Sequence, residues 1–117
     1  MPYSPGLHLL AEFRTDNTSL FVQSRDFKPF IEKTIAELGL VKVGETYHDF
    51  PGGGFTAVVC LTESHLSIHT WPEYGSATFD VFLSNYQKNN DAAAHTIFEA
   101  VKKFFEATAH QVNEIRR

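Results

Sequence analysis

Most of the chain alternates apolar and polar positions with a period of two, the signature of strands that bury one face. In Gly6–Phe13, Leu7, Leu9, Ala11 and Phe13 share one face, and His8, Leu10 and Glu12 share the other. Phe55, Ala57, Val59 and Leu61 oppose Thr56, Val58, Cys60 and Thr62. Over His65–Trp71, Leu66 and Ile68 oppose His65, Ser67, His69 and Trp71. Over Ser76–Ser84, Ala77, Phe79, Val81 and Leu83 oppose Ser76, Thr78, Asp80, Phe82 and Ser84. Leu40–Phe50 is less regular, and there the pattern groups Lys42, Thr46, His48 and Phe50. Gln111–Arg116 predicts a final strand.

Two segments change to a helical period. Phe27, Phe30, Ile31, Ile35 and Leu38 form one stripe, with Asp26 placed to cap the start and Gly39 to end the helix. Ala94, Ile97, Phe98, Val101, Phe104 and Phe105 form the second, within Asn90–Thr108. The order β-α-β-β-β-β-α-β predicts an α+β two-layer sandwich, an antiparallel sheet with two helices on one face. The helices take the aliphatic face. The other face carries His, Thr, Ser, Asp, Cys, Trp and Phe, too polar for a second dry core and too aromatic for plain solvent. Chemistry or a partner subunit belongs there.

At 117 residues the chain makes one domain, 1–117, of a size that often completes its burial by oligomerising. Ten basic against 14 acidic side chains give a net charge of −4, which argues against a nucleic-acid partner. The single cysteine, Cys60, excludes an internal disulfide and a Cys-rich zinc site. There is neither a membrane-length apolar run nor a basic leader, so a cytoplasmic protein is expected.

The densest polar stretch is Glu63-Ser64-His65-Leu66-Ser67-Ile68-His69-Thr70-Trp71-Pro72-Glu73-Tyr74-Gly75. A hydrolytic Ser–His pair fails on geometry. Ser64 points away from His65 on a regular strand and differs in parity from His69, so it meets His69 only from a turn. The G-x-S-x-G elbow of a serine hydrolase is also missing. A metal site from His65 and His69, with His48, Asp80 or Glu73, needs one ion to bridge roughly 13 Å of strand. No metal is expected; these histidines read as hydrogen-bonded polar-face residues. The third chemistry, a serine hydroxyl in a strained turn attacking the preceding carbonyl, is suggested by a resemblance and not by the residues alone.

That third reading matches a family. ESHLSIHTWPEYG resembles the self-cleavage and active-site segment of the prokaryotic S-adenosylmethionine decarboxylases, small pyruvoyl enzymes of polyamine (spermidine) synthesis. The resemblance extends to GLHLLAEF, to the stretch from His48-Asp49-Phe50 to Thr56, and to FDVF. It implies cleavage of a proenzyme between Glu63 and Ser64, with Ser64 converted to an N-terminal pyruvoyl group. The ketone of that cofactor would take up the substrate amine as a Schiff base and act as electron sink during loss of CO₂. His69 matches the histidine that assists processing, and Thr56 stands where the family has a serine. Glu73 matches the residue expected on the ribose hydroxyls. Phe50, Leu66 and Trp71 match positions lining the nucleoside pocket, although dimer packing equally suits Phe50 and Trp71. The family fold is an α+β sandwich that forms a homodimer with its active sites at the interface.

Three positions depart from the family. Ser84 replaces the cysteine thought to return a proton to the substrate carbon, and serine is a far weaker acid than a thiol. Cys60, on the same face, is a candidate substitute. Thr56 replaces serine but keeps a hydroxyl. Ser76 replaces a tyrosine and opens space. Two alternatives therefore stand beside the main reading: an ornithine or arginine decarboxylase on the same scaffold, and an unprocessed, non-catalytic homologue.

Overall fold

The computed structural model describes residues 2–117. Strand β1 (Leu7–Arg14) leads into helix α1 (Phe27–Glu37), followed by β2 (Lys42–Asp49), β3 (Phe55–Leu61), β4 (Ser64–Trp71) and β5 (Ser76–Leu83). Helix α2 (Asp91–Phe104) and β6 (Ala109–Arg116) complete the chain. All six strands form one antiparallel sheet in the order β2-β3-β4-β5-β1-β6. The α+β two-layer architecture is the one expected from the alternation. Short 3₁₀ turns at Thr18–Phe21 and Pro72–Tyr74 were not anticipated. Among the described residues no helix is long and apolar enough to cross a membrane.

Both helices lie on the aliphatic face. Phe13, Phe21, Phe27, Phe55 and Phe105 are buried there, with Leu9, Leu66, Ile68 and Leu83 filling the layer between strands and helices. Phe27 stacks on Phe105 with centroids 5.7 Å apart, and Phe13 on Phe98 at 5.6 Å. Burial of each such side chain stabilises the fold by about 1.5–3 kcal/mol.

Three local expectations need correction. Asp26 occupies the cap position of α1 but makes no side-chain cap bond. The chain is already turning helically, so the Lys28 N–H donates to the Ser24 carbonyl instead. Lys42 does not share a face with Thr46 and His48. A register shift between Lys42 and Gly44 turns Lys42 toward α1, where its ammonium meets Glu32 and Glu45, both at 2.9 Å. Helix α2 stops at Phe104, short of Thr108, because Glu106 adopts φ 53° and sends the chain into β6 two residues earlier than expected. Gly39 ends α1 as its sequence position implies, with φ 71° and the Leu40 N–H returning to the Ile35 carbonyl.

Candidate active site

The open face of the sheet is laid out in rows set by the strand register. One row runs Gln111, Glu12, Thr78, His69, Thr56, His48 across all six strands. Within it the Thr56 hydroxyl and His69 Nδ1 form a short hydrogen bond. The His69 ring lies 6.3 Å from Trp71, and His48 sits edge-on to Phe50 at 4.7 Å. Phe50 and Trp71 are 48% and 40% exposed, enough apolar surface for a ligand or a second subunit to cover. Phe50 is held by the glycine turn that follows it. Its N–H donates to the Gly54 carbonyl, and Gly54 has φ 100° with no room for a Cβ, which would come 2.9 Å from the Thr70 carbonyl oxygen. Glu73 projects from the 3₁₀ turn and is exposed. Beside it a hollow of about 430 Å³ is lined by Arg14, Trp71, Tyr74 and Ser76.

Glu63 and Ser64 lie at the other end of β4. Only Thr62 and Glu63 separate β3 from β4, with Leu61 paired to Ser64. Two-residue hairpins normally place positive φ on the loop residues, usually Asn or Gly. Here, among the described non-glycine residues, only Ser64 and Glu106 have positive φ, and Ser64 stands at 137°. The strain of this connection therefore falls on Ser64, a cost of about 1–3 kcal/mol for a residue with a Cβ. The Glu63 carbonyl oxygen accepts a 2.8 Å hydrogen bond from the Ser84 main-chain N–H at the end of β5. A cleft of about 550 Å³ opens alongside, lined by Thr62, Glu63, Ser84, Tyr86, Lys88 and Asn90.

The residues singled out in the sequence thus form two groups. Glu63, Ser64 and Ser84 meet at one end of the sheet. Thr56, His69, Phe50, Trp71 and Glu73 gather toward the other. Five residues of extended strand put Ser64 and His69 roughly 16 Å apart, so they do not meet within one chain. Leu66 belongs to neither group. Its side chain is fully buried under the helices, opposite the open face, so at the expected nucleoside-pocket position Leu66 offers the open face only its backbone. Parity already placed the Leu66 side chain with Ile68.

Between the groups lies a cluster that the sequence did not assemble. Asp80 Oδ2 lies 2.7 Å from His8 Nε2 and 3.0 Å from His65 Nε2, while the Ser67 hydroxyl donates to Asp80 Oδ1. Burial pushes the Asp80 carboxyl up, but the donors Ser67, His8 and His65 together outweigh it and hold the group below its usual value. An ionised carboxylate only accepts, so both imidazoles donate to it through Nε2. Arg117 Nη1, 3.3 Å from His8 Nδ1, favours the same tautomer. Alternation puts His8 on the open face, but only the adjacency of β1 and β5 brings it to Asp80, 72 residues away in sequence.

Residues 7–117 match the S-adenosylmethionine decarboxylase family. The S-adenosylmethionine decarboxylase proenzyme of Picrophilus torridus is 34% identical over 102 residues, 87% of this chain and 78% of that protein. The proenzyme of the same name from Archaeoglobus fulgidus is 38% identical over 97 residues, 83% of this chain and 87% of its own. The crystal structure of the adenosylmethionine decarboxylase from Aquifex aeolicus superposes with a TM-score of 0.87 at 28% identity, over 99% of this chain and 92% of that one. A match across both halves of the sheet and across the hairpin that joins them leads to one conclusion: the chain belongs to the S-adenosylmethionine decarboxylase family.

Proposed function

We propose that the chain is a proenzyme that cuts itself between Glu63 and Ser64 and, as a homodimer, decarboxylates S-adenosylmethionine. The observation that carries the reading is Ser64 itself: a strained hydroxyl residue following a carbonyl whose oxygen already holds an N–H donor. Attack of Ser64 Oγ on the Glu63 carbonyl carbon relieves the φ strain. The Ser84 N–H stabilises the charge that grows on the oxygen. The C–N bond then breaks, the nitrogen takes a proton and an ester remains. Removal of the Ser64 Cα proton expels the Glu63 carboxylate, which ends the chain 1–63, and leaves dehydroalanine. Water then replaces its nitrogen, released as ammonia, to leave a pyruvoyl group on 64–117.

The corner at Ser64 suits that group, since it is partly exposed and its neighbours Thr62, Glu63 and Ser84 line the 550 Å³ cleft. When present, the pyruvoyl ketone supplies an acceptor for the substrate amine and for the electron pair left by departing CO₂. The remaining tasks fall to side chains. Trp71 and Phe50 offer aromatic faces to an adenine, and Glu73 offers a carboxylate to the ribose hydroxyls. His69, oriented by Thr56, moves a proton.

His69 and Thr56 cannot serve the Ser64 of their own chain across roughly 16 Å. A two-fold pairing of open faces resolves this, because it sets the Ser64 end of each sheet over the His69 end of the other and completes two sites at once. Leu10, Val58 and Ile115, 37–47% exposed on the same face, suit such burial.

Intact mass under denaturing conditions, followed by CO₂ release from S-adenosylmethionine, ornithine and arginine, tests the reading. Two fragments split before residue 64 and release from S-adenosylmethionine are expected. Release from ornithine or arginine alone would move the substrate to a basic amino acid, consistent with the hollow beside Ser76. A single species at 13.2 kDa would overturn the processing step.

A further inference from the structure

We infer that Asp80 is the anchor that holds the new end of β4 once the Glu63–Ser64 bond is cut, gripping it through His65 and Ser67. The inference rests on the processing step proposed above and goes beyond it, since Asp80 touches neither the scissile bond nor the expected substrate groups.

The need for an anchor follows from the hairpin. In the uncut chain the start of β4 is tied covalently to β3 through only Thr62 and Glu63. Cleavage removes that tie, and conversion of Ser64 removes its main-chain nitrogen as well. The reacting group then sits on the first residue of a chain, where strands fray most readily. A displacement of about 1 Å at a reacting centre costs on the order of a hundredfold in rate. The ladders to β3 and β5 remain, and a side-chain hold on residues 65–67 limits fraying at that end.

Asp80 is placed to do so. It lies on β5 directly opposite Ser67 and one diagonal step from His65. Its two oxygens divide the work: Oδ1 takes the Ser67 hydroxyl, and Oδ2 takes the His65 Nε2–H at 3.0 Å. These are the second and fourth residues of the fragment that cleavage would create. The anchor is itself braced from the far side. His8, 7% exposed on β1, donates to the same Oδ2 at 2.7 Å. Arg117 Nη1 approaches His8 Nδ1 at 3.3 Å, and its guanidinium lies 5.7 Å over Phe82, the ring between the two histidines. Gly6 and Arg117 exchange main-chain hydrogen bonds in both directions, at 2.7 and 3.0 Å, which fixes the brace to the sheet. The carboxylate is therefore held by groups outside the cut segment and can hold that segment in turn. Asp80 is a positioning residue.

Its signature is dependence on cleavage. While the hairpin is intact the anchor is redundant, and only the cut protein needs it. The test compares Asp80→Asn in the processed enzyme and in a Ser64→Ala background, which stays one chain. Amide hydrogen exchange across residues 65–68 is measured in both, and kcat and KM in the first. Asp80→Asn is expected to speed exchange by about tenfold in the cut protein only, with kcat falling on the order of tenfold and KM moving less than about twofold. His65→Gln, which keeps an N–H donor, should recover most of the kcat lost in His65→Leu. Equal loss of protection in the uncut background, an unchanged kcat, or identical behaviour of the two His65 variants would overturn the anchor alone. Wild-type protein that remains a single chain by mass would overturn the processing step and the anchor together.

Discussion

The Ser84 main-chain N–H donates to the Glu63 carbonyl oxygen at 2.8 Å, so the residue that follows β5 holds the peptide bond that opens β4. If the proposed cleavage takes place at this bond, position 84 serves it through its backbone, and the identity of its side chain matters elsewhere. Ser84→Ala is expected to leave the rate of self-cleavage within about twofold, whereas Ser84→Pro, which deletes the N–H, should slow it by about 10²–10³-fold. A time course of fragment formation by mass spectrometry separates the two. Ser84→Cys bears on the other step: faster decarboxylation with unchanged cleavage would identify reprotonation of substrate as limiting, and an unchanged rate would assign that proton to Cys60 or water.

Strain at Ser64 has its own readout. Ser64→Ala and Ser64→Gly both abolish cleavage and reaction with carbonyl reagents. Glycine tolerates φ 137° and alanine does not, so the glycine variant should be the more stable by about 1 kcal/mol. Urea denaturation of the two uncut variants at matched concentration measures it. Equal stabilities would mean that the hairpin is unstrained.

The separation of Ser64 from His69 predicts complementation. His69→Ala alone should process poorly, and Ser64→Ala not at all. Co-expressed, they should form mixed dimers in which His69 of the Ser64→Ala chain serves Ser64 of the other, so that the His69→Ala chain is cut. Absence of cutting in isolated mixed dimers would place the whole site within one chain.

The proposed function gives Trp71 and Phe50 to the nucleoside and not to processing. Trp71→Ala should raise KM for S-adenosylmethionine by roughly tenfold while self-cleavage proceeds normally. Loss of dimerisation in size-exclusion chromatography, with unchanged KM in the residual dimer, would assign the ring to the interface.

Three carboxylates are held below their usual range, Glu45 by its hydrogen bond to Lys42 and two others, Asp80 and Asp91, by the groups around them. Asp80 is held low against the upward push of its burial by Ser67, His8 and His65, and Asp91 is held low first by its hydrogen bond to Arg116 and then by Asn85. A carboxyl depressed in the folded state contributes stability that is complete above the unfolded value near 3.9 and is lost as pH falls through the folded value. Thermal midpoints should therefore hold from pH 7 to about 5 and drop below pH 4. Asp80→Asn should flatten part of that drop.

Local pattern determined a good deal about this protein. Alternation at Leu7–Phe13, Phe55–Leu61 and Ala77–Leu83 fixed which side chains enter the core, because a strand has only two faces and the helices cover one. The run from Glu63 to Gly75 was legible as a single motif, and it carried the resemblance to the family that the comparisons show. Parity alone also showed that Ser64 and His69 do not meet on a regular strand, and that Leu66 faces inward. Tertiary structure decided the rest, since it depends on neighbours far apart in sequence. The insertion of β5 beside β1 created the His8–Asp80–His65 cluster from residues 8, 65 and 80. The bulge at Lys42–Gly44 turned Lys42 from the open face to the helices, which no count of alternating residues could reveal. The positive φ of Ser64 and the Ser84 N–H on the Glu63 carbonyl exist only once the hairpin has closed against the end of β5. Periodicity reports the face a residue takes; strand order and register decide what it meets there.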